Sequence, residues 1–145
     1  MRNYKIHTGV QKFEQFQLEC GKALQNIEIA YETYGELNST GSNAILVCHA
    51  LTGNSSSREW WKTIIGEGRA IDPTKYFIIT PNCIGSCYGS TEPESLDSAS
   101  GKKYHSDFPE RTLRDLAKST STLLPAHHFQ RLSLTTVRPS GPMSI

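Results

Sequence analysis

Ala44-Ile-Leu-Val-Cys48-His49-Ala-Leu51-Thr-Gly53 is the stretch whose reading decides the fold. Its first five residues are apolar on both parities, the pattern of a strand covered on each face inside a sheet. Tyr76-Phe-Ile-Ile-Thr80 repeats that pattern and is closed by Pro81. Between the two lies Arg58 to Ala70, with Trp60, Trp61, Ile64 and Ile65 at roughly helical spacing. Gly66 and Gly68 keep any helix there to one turn or two. Two buried strands joined by a helical crossover form a parallel pair in a helix-covered sheet.

Upstream, Gln11 to Leu18 alternates loosely through Phe13, Phe16 and Leu18 until Cys20-Gly21-Lys22 breaks it. Leu24 to Tyr34 then sets Ile27, Ile29, Tyr31 and Thr33 on one parity against Glu28 and Glu32 on the other. Period two on both sides of a short break predicts an antiparallel hairpin. Gly35 to Ser42 is a polar loop. Downstream, Asn82 to Pro109 is 28 residues without a period, a length that in a compact domain points to a functional loop or a disordered one. Thr112 is the expected cap of a following helix, with Asp115 at its third position and Leu113, Leu116 and Leu123 as its apolar side. Leu132 to Val137 alternates as a last strand.

At 145 residues the chain is the size of one domain. A net charge of +1, from 15 basic and 14 acidic residues, leaves nothing that attracts nucleic acid or an anionic membrane. No apolar run approaches the ~20 residues of a membrane span. The start from Met1 to Thr8 lacks the apolar core of a secretory signal, so a cytoplasmic setting is expected. Cys20, Cys48, Cys83 and Cys87 read as reduced thiols, and no metal site is expected from their spacing.

Ligands of open parallel sheets bind beyond the carboxyl ends of the strands, which directs attention to His49–Gly53 and to the segment after Pro81. As bare pattern, His49 is either a core or capping histidine or part of a catalytic loop. The glycine- and hydroxyl-rich run from Gly85 to Ser95 is either a pocket wall or a solvent loop, and it lacks the Gly-Lys-Ser/Thr end of a phosphate loop. Trp60-Trp61 reads as packing.

The succession of His49-Ala-Leu-Thr-Gly53, Trp60-Trp61, Ile65-Gly-Glu-Gly68, Lys75-Tyr-Phe-Ile78 and Gly85-Ser-Cys-Tyr-Gly-Ser-Thr91 continues with Tyr104, Asp107-Phe-Pro109 and Arg114-Asp115. In that order, and with Leu18–Gly21 and Ile29-Ala-Tyr-Glu-Thr-Tyr-Gly35 ahead of it, it resembles homoserine O-acetyltransferases. The resemblance runs from about residue 12 to about 118 and rests on no single motif.

It implies an incomplete α/β-hydrolase fold: an antiparallel hairpin, then parallel strands with helical crossovers, over residues 1–118. It also implies a ping-pong transfer in which a serine takes acetyl from acetyl-CoA and passes it to L-homoserine, with no permanently bound cofactor. On matching positions the Leu51 backbone N–H would be an oxyanion donor, with His49, Ala50, Thr52 and Gly53 shaping its loop. Gly85, Gly89, Ser90 and Thr91 would line the substrate pocket. Relatives are often homodimers. Glu92 departs from the family's usual glycine.

The family's nucleophile sits in a Gly-x-Ser-x-Gly turn, followed by an aspartate and a histidine, and none of these occurs in this sequence. Ser140 falls between Pro139 and Gly141-Pro142 and is not expected to serve. Residues 119–145 contain no Asp, Glu or Lys and are expected to be a divergent tail, from a frameshifted or prematurely terminated reading frame. Two other readings stand beside acetyl transfer: an esterase-like hydrolase of the same fold, and a non-catalytic remnant that binds a partner.

Overall fold

The computed structural model describes residues 4–50 and 52–123, and the backbone of 132–136. Its strands are β1 (Ile6–Gln17), β2 (Ala23–Tyr34), β3 (Ala44–Cys48), β4 (Phe77–Pro81) and β5 (Leu132–Thr136). They form one five-stranded sheet in the order β1-β2-β4-β3-β5. β1 and β2 pair antiparallel from Ile6↔Tyr34 to Gln17↔Ala23, and β4 joins β2 antiparallel through Tyr31↔Pro81 to Tyr34↔Ile78. β3 runs parallel to both β4 and β5.

The hairpin turn closes where the sequence breaks. Leu18 N–H bonds Lys22 O at 2.9 Å, and Gly21 takes the left-handed conformation (φ 85°) that glycine adopts without a Cβ penalty. β1 begins five residues before the expected Gln11. Its first half is largely exposed, so the backbone ladder to β2 rather than burial makes it a strand, and burial is what periodicity reports.

Both sheet faces are covered, as the doubly apolar strands require. On one, Ile27, Ile29, Tyr31, Leu46 and Ile79 pack with Ile84, Tyr104 and Leu123. On the other, Tyr34, Val47 and Ile78 pack with Ile65 and Ile71 of the β3–β4 crossover, with Trp61 against them. Trp60 stacks on Trp61 with ring centroids 5.9 Å apart, and its indole N–H donates to Asn54 O at 3.0 Å. The pair is packing, as expected.

That crossover holds a helix at the short end of the expected one or two turns. Only α1 (Ser57–Trp60) is helical, a single turn. The remainder is turns, with Gly68 at φ 71° and the Asp72 carboxylate accepting from the N–H groups of Gly68 and Thr74 at 2.9 Å.

The second crossover carries α2 (Leu113–Ser121), capped as expected. The Thr112 hydroxyl accepts from Asp115 N–H at 3.2 Å, and the Asp115 carboxylate accepts from Thr112 N–H at 2.9 Å. The face it buries is not the one expected. Asp115, Ser119 and Thr120 are buried, whereas Leu113 is 84% exposed and Leu116 half-buried; only Leu123 enters the core. Asp115 faces inward because its other oxygen accepts Glu19 N–H of the hairpin turn at 3.0 Å. The Thr112 hydroxyl also donates to the Glu19 carboxylate, and Lys118 donates to Gln17 O at 3.1 Å. Polar bonds to the hairpin, not apolar packing, fix the start of α2.

Among the residues expected to form a divergent tail, α2 continues to Ser121, and β5 adds to the sheet beside β3. Residues 124–131 and 137–145, Ser140 included, lie outside the described residues.

Candidate active site

β3 and β4 are parallel neighbours, so the loops leaving their carboxyl ends emerge side by side. The first loop turns at once, with Gly53 N–H bonding Ala50 O at 2.8 Å. A Cβ on Gly53 would come within 3.0 Å of His49 Cβ, so a larger residue would have to push the two apart. His49 joins the loops. Its Nδ1 lies 2.7 Å from Ala50 O, and its Nε2 accepts Cys83 N–H at 3.3 Å. An accepting Nε2 places the ring proton on Nδ1, where it donates to Ala50 O. With both ring nitrogens within hydrogen-bond distance of backbone groups, His49 ties Ala50 to Cys83. Thr52 is exposed and Leu51 lies outside the described residues.

The cavity here has a volume of about 290 Å³. His49, Ala50, Cys83, Ile84, Gly85, Ser86, Arg111, Leu113 and Leu116 line it. Leu113 and Leu116 of α2 thus form part of its apolar wall. Gly85 (φ 85°) returns the chain against Arg111, and a Cβ at Gly85 would overlap the guanidinium. Arg111 Nε donates to Ile84 O at 3.2 Å, and its guanidinium carbon lies 5.2 Å from the Phe108 ring centre. The Ser86 hydroxyl oxygen is buried and has no hydrogen-bond partner among the described residues.

Burial pushes the Cys83 thiol up, with Arg111 opposing, and burial and then Cys83 push the Cys48 thiol up. Both therefore stay protonated near neutral pH, and neither is an activated nucleophile. All four cysteines are unbridged. Among the described residues no cluster of three His, Cys, Asp or Glu side chains could hold a metal ion, and no helix is long and apolar enough to cross a membrane.

Gly85 shares the cavity with His49 and Ala50, but Gly89, Ser90 and Thr91 stand elsewhere, in a cleft with Asn26, Glu28 and Leu96. Their polar groups serve β2. Ser90 Oγ accepts Ala30 N–H at 3.1 Å and donates to Asn82 O at 2.9 Å; Thr91 Oγ1 accepts Glu28 N–H at 2.8 Å.

Asn82, which sequence reasoning passed over, organises this end of the sheet. It is buried, accepts Ser55 N–H at 2.7 Å, and donates to Tyr88 O at 2.7 Å and Ser55 Oγ at 3.2 Å. Beside it the Ser57 and Thr80 hydroxyls, both fully buried, share a hydrogen bond of 2.7 Å. The Glu32 carboxylate accepts from the Tyr34 and Ser56 hydroxyls at 2.6 Å each. An asparagine directly after a strand-closing proline was the available signal for this polar layer.

A leading antiparallel hairpin, a parallel core, and a cavity at the strands' carboxyl ends define a chain of the α/β-hydrolase class, incomplete as a sheet. No family model matches the chain. A homoserine O-acetyltransferase of Chlorobaculum parvum is 47% identical over 138 residues, covering 95% of this chain and 39% of the relative. The crystal structure of homoserine O-acetyltransferase from Bacillus anthracis superposes with a TM-score of 0.80 at 28% identity, over 90% of this chain and 39% of that one. An acetylester hydrolase from Corynebacterium glutamicum gives a TM-score of 0.76 at 29% identity, over 90% of this chain and 36% of that one. Over nearly its whole length the chain is similar to homoserine O-acetyltransferases. It spans about two fifths of the length of the curated relatives it matches.

Proposed function

We propose that this chain contributes the anion-stabilising side of an acyl-transfer site, for acetyl transfer from acetyl-CoA to L-homoserine. The carrying observation is the His49 bridge, which ties the turn after β3 to the loop after β4 at the rim of the cavity. A backbone N–H at Leu51 would then face the alkoxide of a tetrahedral intermediate, held by a turn that does not reorganise during reaction. His49, Ala50, Thr52 and Gly53 shape that turn. Gly85 and Ser86 bound the space in front of it. Acetyl-CoA is the co-substrate, consumed rather than retained.

The nucleophile is not assigned to any of these 145 residues, since they contain no Gly-x-Ser-x-Gly turn. The purified chain with acetyl-CoA and homoserine should therefore release no CoA thiol.

The positive test is a chimera in which this chain replaces the matched segment of the Chlorobaculum parvum relative. It should release CoA catalytically only when homoserine is present, with no more than one equivalent per site in its absence, and Leu51→Pro, which deletes the donor, should lower kcat by roughly 10²–10³. A folded chimera whose turnover is unaffected by Leu51→Pro would refute the assignment. The similarity to an acetylester hydrolase favours a second reading, hydrolysis on the same oxyanion geometry. Acetate release to water, unchanged by homoserine, would select it.

A further inference from the structure

The turn after β3 is held at both ends, and the two holds come from adjacent residues of the neighbouring loop. At its start His49 meets the Cys83 N–H at 3.3 Å. At its end the side-chain oxygen of Asn82 accepts Ser55 N–H at 2.7 Å, a shorter bond between two buried residues. Between these points the chain closes on itself through Gly53 N–H on Ala50 O.

Asn82 is pinned in turn. Its N–H donates to Ala30 O of β2 at 2.8 Å, and its carbonyl accepts from the Ser90 hydroxyl at 2.9 Å. Its amide nitrogen donates to Tyr88 O at 2.7 Å and to Ser55 Oγ at 3.2 Å. A backbone N–H needs an acceptor and a carbonyl needs a donor, so the two ends of this amide cannot be exchanged. No other side chain of that length supplies an uncharged acceptor together with two donors. Asn82 is not among the described residues that line the cavity.

We infer that Asn82 is a positioning residue for acyl transfer: it passes the fixed geometry of β2 and β4 to the turn after β3 and so keeps the Leu51 N–H aimed at the developing alkoxide. The inference rests on the oxyanion role proposed for that turn. A donor misplaced by about 1 Å costs on the order of 10²-fold in rate, while contacts that bind the ground state persist. The effect therefore falls on kcat and kcat/KM together, with KM unchanged.

The test combines the chimera with the Chlorobaculum parvum relative and amide exchange in the full chain. Asn82→Ala should lower kcat by roughly 10- to 100-fold and leave KM for homoserine and acetyl-CoA near the parent values. Thr80→Val breaks the buried Ser57–Thr80 bond on the same chain segment and should leave kcat near the parent value, which separates positioning from lost stability. Added to Leu51→Pro, Asn82→Ala should lower kcat no further, because the donor it positions is already gone. In the full chain, exchange protection of Gly53 N–H should fall by roughly tenfold or more in Asn82→Ala. Effects of Leu51→Pro and Asn82→Ala that multiply, unchanged protection at Gly53, or an equal fall in kcat with Thr80→Val would overturn the proposal. A chimera that responds to Leu51→Pro but not to Asn82→Ala sinks this inference alone. One that responds to neither sinks the oxyanion reading and this inference with it.

Discussion

Replacing Asp115 by alanine should loosen the joint between the hairpin turn and α2 by about 2 kcal/mol. The carboxylate is buried and serves two elements: Thr112 N–H at the helix start and Glu19 N–H at the turn between β1 and β2. Losing the first bond is the loss of a helix cap, typically about 1 kcal/mol. Losing the second strands a backbone donor, at the low end about 1 kcal/mol because Glu19 is itself near water. Two kcal/mol corresponds to roughly thirtyfold in an equilibrium constant. Amide hydrogen exchange reads that opening directly, so protection at Glu19 and Thr112 should fall by roughly that factor. Asp115→Asn keeps one acceptor oxygen and should cost about half as much in free energy. Because Arg111 immediately precedes the cap and Leu113 and Leu116 follow it, the cavity resonances should broaden in the same variant. If Glu19 protection in Asp115→Ala stays within about threefold of the parent, the shared-carboxylate argument fails.

Thr80→Val should cost about 1 kcal/mol, because it removes the Thr80 partner of the buried Ser57 hydroxyl. In urea unfolding the double variant Ser57→Ala/Thr80→Val should recover part of that loss, and a double variant worse than the sum would contradict it. The loop from Glu94 to His105 should loosen in acid. Lys103 and then His105 hold the Glu94 carboxyl below its usual range, and the Ala99 and Ser100 N–H groups do the same for Asp97. With folded pKa values below the unfolded ones, the stabilisation is complete only above the unfolded carboxylate range, from about pH 5 upward, and disappears as pH falls through the folded values. Shifts of the loop amides across pH 5 to 2 should report this, and Glu94→Gln should remove the Glu94 part; a flat titration would refute it.

The parts of the fold legible in the sequence were those whose signal is burial on a regular period. β2, β3 and β4 are covered strands and announced themselves, and Thr112 with Asp115 announced a cap. The outer half of β1 did not, since an exposed edge strand is held by its ladder and asks little of its side chains. The leucines of α2 misled for the converse reason: apolar spacing marks a face that avoids water, not which neighbour it meets. Here the neighbour is a cavity, while a carboxylate turned inward takes the core side. The candidate site was legible only to its location. His49, Gly85 and the turn at Gly53 could be placed, but Arg111, Ser86 and Asn82 come from segments without a period. Gly89 to Thr91, chemically similar to their neighbours in sequence, are committed to β2 instead.

That commitment has a consequence of its own. β2 is longer than its partner β4, and past Tyr31 its outward N–H and C=O groups would be left as a short adhesive seam. The backbone N–H groups of Asn82 and Thr91, with the hydroxyls of Ser90 and Thr91, occupy it at Glu28 and Ala30. The segment is a side-chain forgery of a sixth strand, too irregular to be extended by another copy. A drift to alanine at position 90 or valine at position 91 would spare the cavity yet expose that seam, and its first symptom would be self-association of the chain through strand addition.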